Sequence, residues 1–146
     1  MGLSFAYAGS ARADLLEIIS PLILDSSNSM EVSSMAALAL GIIFVGTCDD
    51  DVANSILQTL MSDRSNEDLD STFVKFFGLA LGLLFLCKQE RADAIIEAIG
   101  VIEHSCKDFL KLCVEGCAYA CSGNVLKIQS MLHECAEHKE EKESKH

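Results

Sequence analysis

The sequence predicts an all-α fold, an α–α superhelix (solenoid) of about three and a half helical hairpins. Three observations carry this. A short apolar pattern recurs four times along the chain, each copy leads into an amphipathic stretch at helical spacing, and the 146 residues are half hydrophobic with one proline and no tryptophan. Such a composition suits packed helices better than disorder or a β-sandwich rich in turns.

The four copies are Gly-Leu-Ser-Phe-Ala-Tyr-Ala-Gly (2–9), Ala-Leu-Gly-Ile-Ile-Phe-Val-Gly (39–46), Ala-Leu-Gly-Leu-Leu-Phe-Leu-Cys (80–87) and Val-Glu-Gly-Cys-Ala-Tyr-Ala-Cys (114–121). Their last residues, Gly9, Gly46, Cys87 and Cys121, serve as anchors 37, 41 and 34 residues apart. Two positions before each anchor stands an aromatic residue: Tyr7, Phe44, Phe85 and Tyr119. Five positions before it stands a small one: Ser4, Gly41, Gly82 and Gly116. A small residue lets two helix axes approach at the near end of the usual range of about 8–10 Å. An apolar helix with this feature, hydrophobic nearly all round, is expected to be buried between neighbours.

Beyond each anchor a polar turn leads to an amphipathic stretch: Asp14 to Leu24, Asp51 to Met61, Asp93 to Ile102, and Asn124 to Cys135. Asp and Asn are suited to cap these helices by accepting a free backbone N–H. Ile95, Ile96, Ile99 and Ile102 recur at helical spacing and give the third stretch one apolar face. Each unit is therefore an apolar helix A, a tight turn and an amphipathic helix B. At Gly9 and Gly46 helix A is expected to end in a left-handed residue, which glycine adopts without Cβ strain. The solenoid is assigned to residues 1–136, and the run from Glu137 to His146 reads as a charged, disordered tail.

The apolar runs Met35–Gly46 and Phe76–Cys87 are each 12 residues long, short of the roughly 18 a membrane-spanning helix needs, and read as core helices. The N-terminus lacks the basic start and long apolar stretch of a signal peptide, so no membrane association and a soluble, intracellular chain are expected. A formal net charge of −11 repels a phosphate backbone, and with no basic patch in the sequence nucleic acid is excluded as a partner. Seven cysteines, scattered through apolar segments, read as buried reduced thiols rather than a disulfide framework.

Four segments carry a family resemblance: Gly-Leu-Ser-Phe-Ala-Tyr-Ala-Gly-Ser (2–10), Phe-Val-Gly-Thr-Cys (44–48), Cys-Ala-Tyr-Ala (117–120) and Gly-Asn-Val-Leu-Lys-Ile-Gln-Ser-Met-Leu-His (123–133). They resemble the proteasome/cyclosome repeats, with their glycine-rich helix A and period of roughly 35–40 residues, and within that family the scaffolds of the proteasome base. The last segment argues against the sister proteasome scaffold and the anaphase-promoting complex. The resemblance implies a piece of a helical toroid, a non-catalytic scaffold in ubiquitin-dependent protein degradation, in cytoplasm and nucleus. It implies as partners ubiquitin, ubiquitin-like domains of shuttle factors, a deubiquitinase and other proteasome base subunits. Against the family pattern, Cys87 and Cys121 stand where its turn glycine belongs. In a left-handed turn each costs on the order of 1–2 kcal/mol relative to glycine.

Candidate chemistry is sparse. Cys113, Cys117 and Cys121 at i, i+4 and i+8 span about 12 Å on one helix, too far for one zinc, so they read as packing residues even with His133 and Cys135 following. A Cys87–Cys121 disulfide is not expected, since equivalent positions in stacked units sit about 10 Å apart. No nucleophile–base pair or phosphate loop is visible, so neither enzyme activity nor a cofactor is expected. Acidic clusters at Asp49–Asp51 and at Glu67, Asp68 and Asp70 have a ready explanation in the helix macrodipole and solubility. Glu90, Asp93 and Glu97, at i, i+3 and i+7, are expected on one helical face. They are the candidate acidic rim for ubiquitin or a ubiquitin-like domain. The alternative is a purely structural segment, or a degenerate partial copy, that stacks on neighbouring repeats without a receptor site of its own.

Overall fold

The computed structural model describes residues 1–62 and 66–136, and among them every regular element is helical. The first unit holds α1 (Gly2–Ala6) and α2 (Ala13–Leu24); the second holds α3 (Met30–Ile43) and α4 (Asp50–Met61). A short helix α5 (Asn66–Asp70) then precedes α6 (Val74–Leu84), a 3₁₀ turn (Gln89–Ala92) and α7 (Asp93–Gly100). The fourth unit holds α8 (Cys106–Ala118) and α9 (Val125–Ala136). The stretch Glu137–His146, expected to be a tail, lies outside the described residues.

The A helices α1, α3, α6 and α8 stack side by side in that order, and the B helices α2, α4 and α7 lie against them. α3 and α6 form the centre: Ala37, Leu40, Ile43, Phe77, Ala80, Leu81 and Leu84 are fully buried. At the usual transfer value each buried leucine or phenylalanine contributes about 1.5–3 kcal/mol. Two B helices bury a stripe, Ile19 and Ile23 in α2 and Val52, Ile56 and Leu60 in α4, while α7 buries Ile99 and α9 buries no residue. Thr59 of α4 donates to the Ile23 carbonyl at 3.0 Å, so a buried hydroxyl ties neighbouring B helices together. A B helix also packs forward: α2 lies on α3 and α7 on α8, each against the A helix of the next unit.

The small-residue column sits where A helices nearly touch. A Cβ at Gly41 would lie 2.8 Å from the Ala80 Cα and 2.9 Å from its carbonyl oxygen, both backbone atoms of α6. One at Gly82 would lie 2.7 Å from the Cys117 Sγ and 3.1 Å from the Cys113 carbonyl oxygen. Ser4 is fully buried, while Gly116 faces open space.

All four anchors are left-handed, with φ of 70° at Gly9, 69° at Gly46, 60° at Cys87 and 60° at Cys121. Two residues further on a second left-handed residue follows in every unit: Ala11 (49°), Cys48 (55°), Gln89 (51°) and Gly123 (67°). These turns hold the stack in register. The Gly9 N–H donates to the Ile42 carbonyl (3.0 Å) and Ala11 to Ile43 (3.0 Å). One unit along, Gly46 donates to Leu83 (2.9 Å) and Cys48 to Leu84 (3.1 Å); in the next, Cys87 donates to Cys117 (3.0 Å). Each anchor thus bonds the carbonyl four residues before the next anchor. The strain at each turn is offset by a hydrogen bond from the strained N–H to a carbonyl at the end of the neighbouring helix A, and the Leu83 and Cys117 carbonyls accept it beside a local bond from Leu86 (3.2 Å) and Ala120 (3.3 Å).

Capping departs from expectation at three of four sites. Asn124 caps α9, its Oδ1 accepting from the Lys127 N–H at 3.1 Å. Asp49, rather than Asp51, caps α4 by accepting from Val52 at 3.0 Å. Asp14 lies inside α2 with its carboxylate bound to Arg12 at 2.7 Å, and that hydrogen bond holds its pKa below the usual carboxylate range. Asp93 makes no cap because the 3₁₀ turn runs directly into α7.

Candidate docking surface

The carboxylates of Glu90, Asp93 and Glu97 are all exposed, and none makes a hydrogen bond or ion pair among the described residues. They do not share a single α-helix. Glu90 belongs to the 3₁₀ turn, and only Asp93 and Glu97 lie on α7. A 3₁₀ turn has three residues per turn, so Glu90 and Asp93 eclipse one another, and Glu97 follows one α-turn later. The expected stripe is thereby kept by a different backbone. Val101, four residues beyond Glu97, continues it: its backbone is still right-handed helical and its side chain is 71% exposed. The stripe is therefore three carboxylates ending in an uncovered apolar side chain. Val101 was legible at i+4 from Glu97, but the isoleucine pattern draws attention to the buried face instead. The stretch is not uniformly acidic: Lys88 and Arg91 leave residues 88–97 with a net charge of −1.

A second surface was missed in the sequence. Between α2 and the start of α4 lies a groove of about 670 Å³, with Leu16, Pro21 and Leu24 as its apolar part and Glu17, Asp25 and Asp51 beside them. The hydroxyl and backbone N–H of Ser27 both bond the Asp25 carboxylate and hold its pKa down, so it stays charged. These residues come from two helices and a loop, a grouping that only the stacking of α2 on α4 creates.

The acidic run Glu67, Asp68 and Asp70 belongs to α5, with Glu67 and Asp68 in its first turn where carboxylates favour the dipole. Asp70 reaches His104 at 3.3 Å and so ties α5 to the segment before α8. Among the cysteines the expectation of burial holds only in part. Cys48, Cys106, Cys113 and Cys117 are half-buried, whereas Cys87, Cys121 and Cys135 are exposed, and all seven are free thiols. Burial pushes the thiols of Cys106, Cys113 and Cys117 upward, away from the thiolate that a nucleophile or metal ligand must be. The neighbour that Cys87 bonds across the stack is Cys117, not Cys121. No group of three His, Cys, Asp or Glu suited to hold a metal occurs among the described residues, and no helix among them is long and apolar enough to cross a membrane.

A stack of apolar-A, amphipathic-B hairpins with left-handed, glycine-type turns defines the class: an α-solenoid of proteasome/cyclosome repeats. Residues 35–68 match the model of that family, the proteasome/cyclosome repeat, and the chain belongs to it. It is 43% identical over 145 residues to the 26S proteasome regulatory subunit rpn-1 of Neurospora crassa, covering 99% of this chain and 16% of that protein. It is 46% identical over 132 residues to the Schizosaccharomyces pombe 26S proteasome regulatory subunit rpn1, covering 90% of this chain and 15% of that protein. With the 26S proteasome non-ATPase regulatory subunit 2 of Dictyostelium discoideum it shares 41% identity over 139 residues, covering 95% of this chain and 15% of the relative. The chain thus spans about one sixth of the length of the relatives it matches.

Proposed function

We propose that the chain is a non-catalytic scaffold segment of the proteasome regulatory particle base, in cytoplasm and nucleus, that docks ubiquitin or ubiquitin-like domains. In this reading Glu90, Asp93 and Glu97 form an acidic rim and Val101 its apolar contact. The single observation that carries it is that these four side chains line one outer face and none is engaged elsewhere among the described residues. Kinship with proteasome regulatory subunits supplies the setting. The physical logic is charge complementarity to a partner whose binding face has an apolar centre and basic surround. Contacts to other base subunits and to a deubiquitinase belong to the same reading.

The test is a titration of isotope-labelled ubiquitin with the chain, followed by NMR at low and raised salt. Shifts clustered on the apolar-basic face of ubiquitin, weakening with salt, are expected. Exposed ion pairs contribute about 0.3–0.5 kcal/mol each, so reversing all three carboxylates to lysine should weaken binding about tenfold. Binding unchanged in a triple variant with the wild-type helical signal rejects these residues. Loss on reversing Glu17, Asp25 and Asp51 instead would move the site to the α2–α4 groove. If no ubiquitin shifts occur at all, the purely structural reading stands.

A further inference from the structure

The three joints of the stack share one register but differ in chemistry. Gly9 donates to Ile42, Gly46 to Leu83 and Cys87 to Cys117. Only the third joint sets a cysteine on both sides. It is also tied by a single bond of this kind where the first two have a pair, since Gln89 makes no counterpart to the Ala11 and Cys48 bonds among the described residues. The 3₁₀ turn that follows Cys87 packs on α8, and its Ala92 is fully buried, so the whole segment is held against that helix. Both cysteines belong to the α6–α8 joint, inside the described stack.

The geometry suits a covalent link. The 3.0 Å bond from the Cys87 N–H to the Cys117 carbonyl keeps the two Cα atoms within about 6.8 Å, given the standard bond lengths on either side of it. Disulfides span about 4.4–6.8 Å between Cα atoms. The Cys117 Sγ faces α6, 2.7 Å from where a Gly82 Cβ would stand, and Cys87 lies just beyond the end of that helix. The Cys117 thiol is pushed up first by burial and then by the charge of a Cys87 thiolate, so the two sulfurs lie within electrostatic reach. Cys87 is exposed, Cys117 is half-buried, and both are free thiols. Cys113 is a poorer partner for Cys117. At i and i+4 on one helix their Cβ atoms stand about 5–6 Å apart, beyond the roughly 3.5–4.5 Å that a disulfide takes.

We propose that Cys87 and Cys117 form a reversible oxidation site, a thiol pair that hydrogen peroxide closes to a disulfide, pinning the fourth unit to the third. Cys87 is the accessible thiol and reacts first. As its thiolate it attacks one peroxide oxygen, an S–O bond forms, the O–O bond breaks, and hydroxide leaves with a proton from solution as water. The sulfur is now a sulfenic acid. Cys117, having lost its proton, attacks that sulfur; the S–S bond forms, the S–O bond breaks, and the second oxygen leaves as water. The pair gives up two electrons and two protons, and one hydrogen peroxide becomes two waters. A dithiol reductant reverses the link by exchange, itself becoming a disulfide. The closed loop carries the 3₁₀ turn and α7, so it constrains the unfolded chain and stabilises the joint. None of this depends on ubiquitin docking.

The test is oxidation of the reduced, dilute chain with hydrogen peroxide, in buffer and in urea, followed by alkylation of the remaining thiols and peptide mass mapping. In the folded chain the main disulfide is expected between Cys87 and Cys117 of the same molecule, and dithiothreitol should remove it. Its initial rate should fall severalfold in urea, where nothing holds the two residues together. Cys87→Ser and Cys117→Ser should each abolish it, and Cys121→Ser should leave it unchanged. The linked chain should have a higher urea midpoint than the reduced one. A main link between any other pair or between molecules overturns the proposal, as does a Cys87 that passes to the sulfinic acid without linking. So does a rate as high in urea as in buffer, or a linked chain no more resistant to urea than the reduced one.

Discussion

Replacing Cys87 by glycine should stabilise the chain. Cys87 holds φ at 60°, its side chain is exposed, and its N–H donates to the Cys117 carbonyl at 3.0 Å. Glycine keeps that hydrogen bond and loses no buried apolar surface, so the change isolates the backbone term. Relief of the left-handed penalty is worth about 1–2 kcal/mol. Glycine also loosens the unfolded chain, which returns about 0.4–1 kcal/mol. The net gain is about 0.5–1 kcal/mol, and a domain of this size converts that to a rise of about 1–4 °C in Tm. The assay is urea unfolding followed by circular dichroism, on the dilute chain, beside two references. Cys87→Ala should be neutral, since alanine has the same Cβ. Gly46→Ala should lose about 0.5–1 kcal/mol, because its Cβ would meet nothing closer than the Leu86 carbonyl oxygen at 3.8 Å and only the φ of 69° opposes it. If Cys87→Gly is neutral or destabilising while Cys87→Ala also destabilises, the thiol itself holds the turn and the backbone argument is refuted.

Gly41→Ala should destabilise by about 1–3 kcal/mol despite the better helix propensity of alanine, because its Cβ meets the backbone of Ala80 rather than a movable side chain. Gly116→Ala, with open space beside it, should gain about 0.5–1 kcal/mol in the same denaturation assay. Asp49→Ala removes the cap on Val52 and should cost about 1 kcal/mol, whereas Asp93→Ala should change little. Stability should fall as pH rises into the alkaline range. Cys106, Cys113 and Cys117 hold their protons more tightly folded than unfolded, so the unfolded chain binds fewer protons once its thiols ionise near pH 8.5, about the free value. Urea midpoints at neutral and alkaline pH test this, and a Cys113→Ala/Cys117→Ala variant should show a smaller decline.

The sequence by itself determined the parts of this protein that repeat. The four B helices begin and end within about two residues of the expected bounds, because an amphipathic stripe is a local property of spacing. The left-handed turns at Cys87 and Cys121 were legible from alignment with Gly9 and Gly46, although cysteine by itself signals no such turn. The acidic stripe was legible as a set of residues but not as a surface, since only the structure sets Glu90 in a 3₁₀ turn and brings Val101 into line. The second left-handed column at Ala11, Cys48, Gln89 and Gly123 was hidden, because one glycine among four residue types makes no pattern. In the first two units tertiary structure decided it: the N–H of Ala11 and Cys48 is drawn to a carbonyl of the neighbouring unit, 32 and 36 residues away along the chain. The same holds for the α2–α4 groove. Periodicity records what each helix needs to bury, whereas register, strain and the surfaces left open follow from how one unit meets the next.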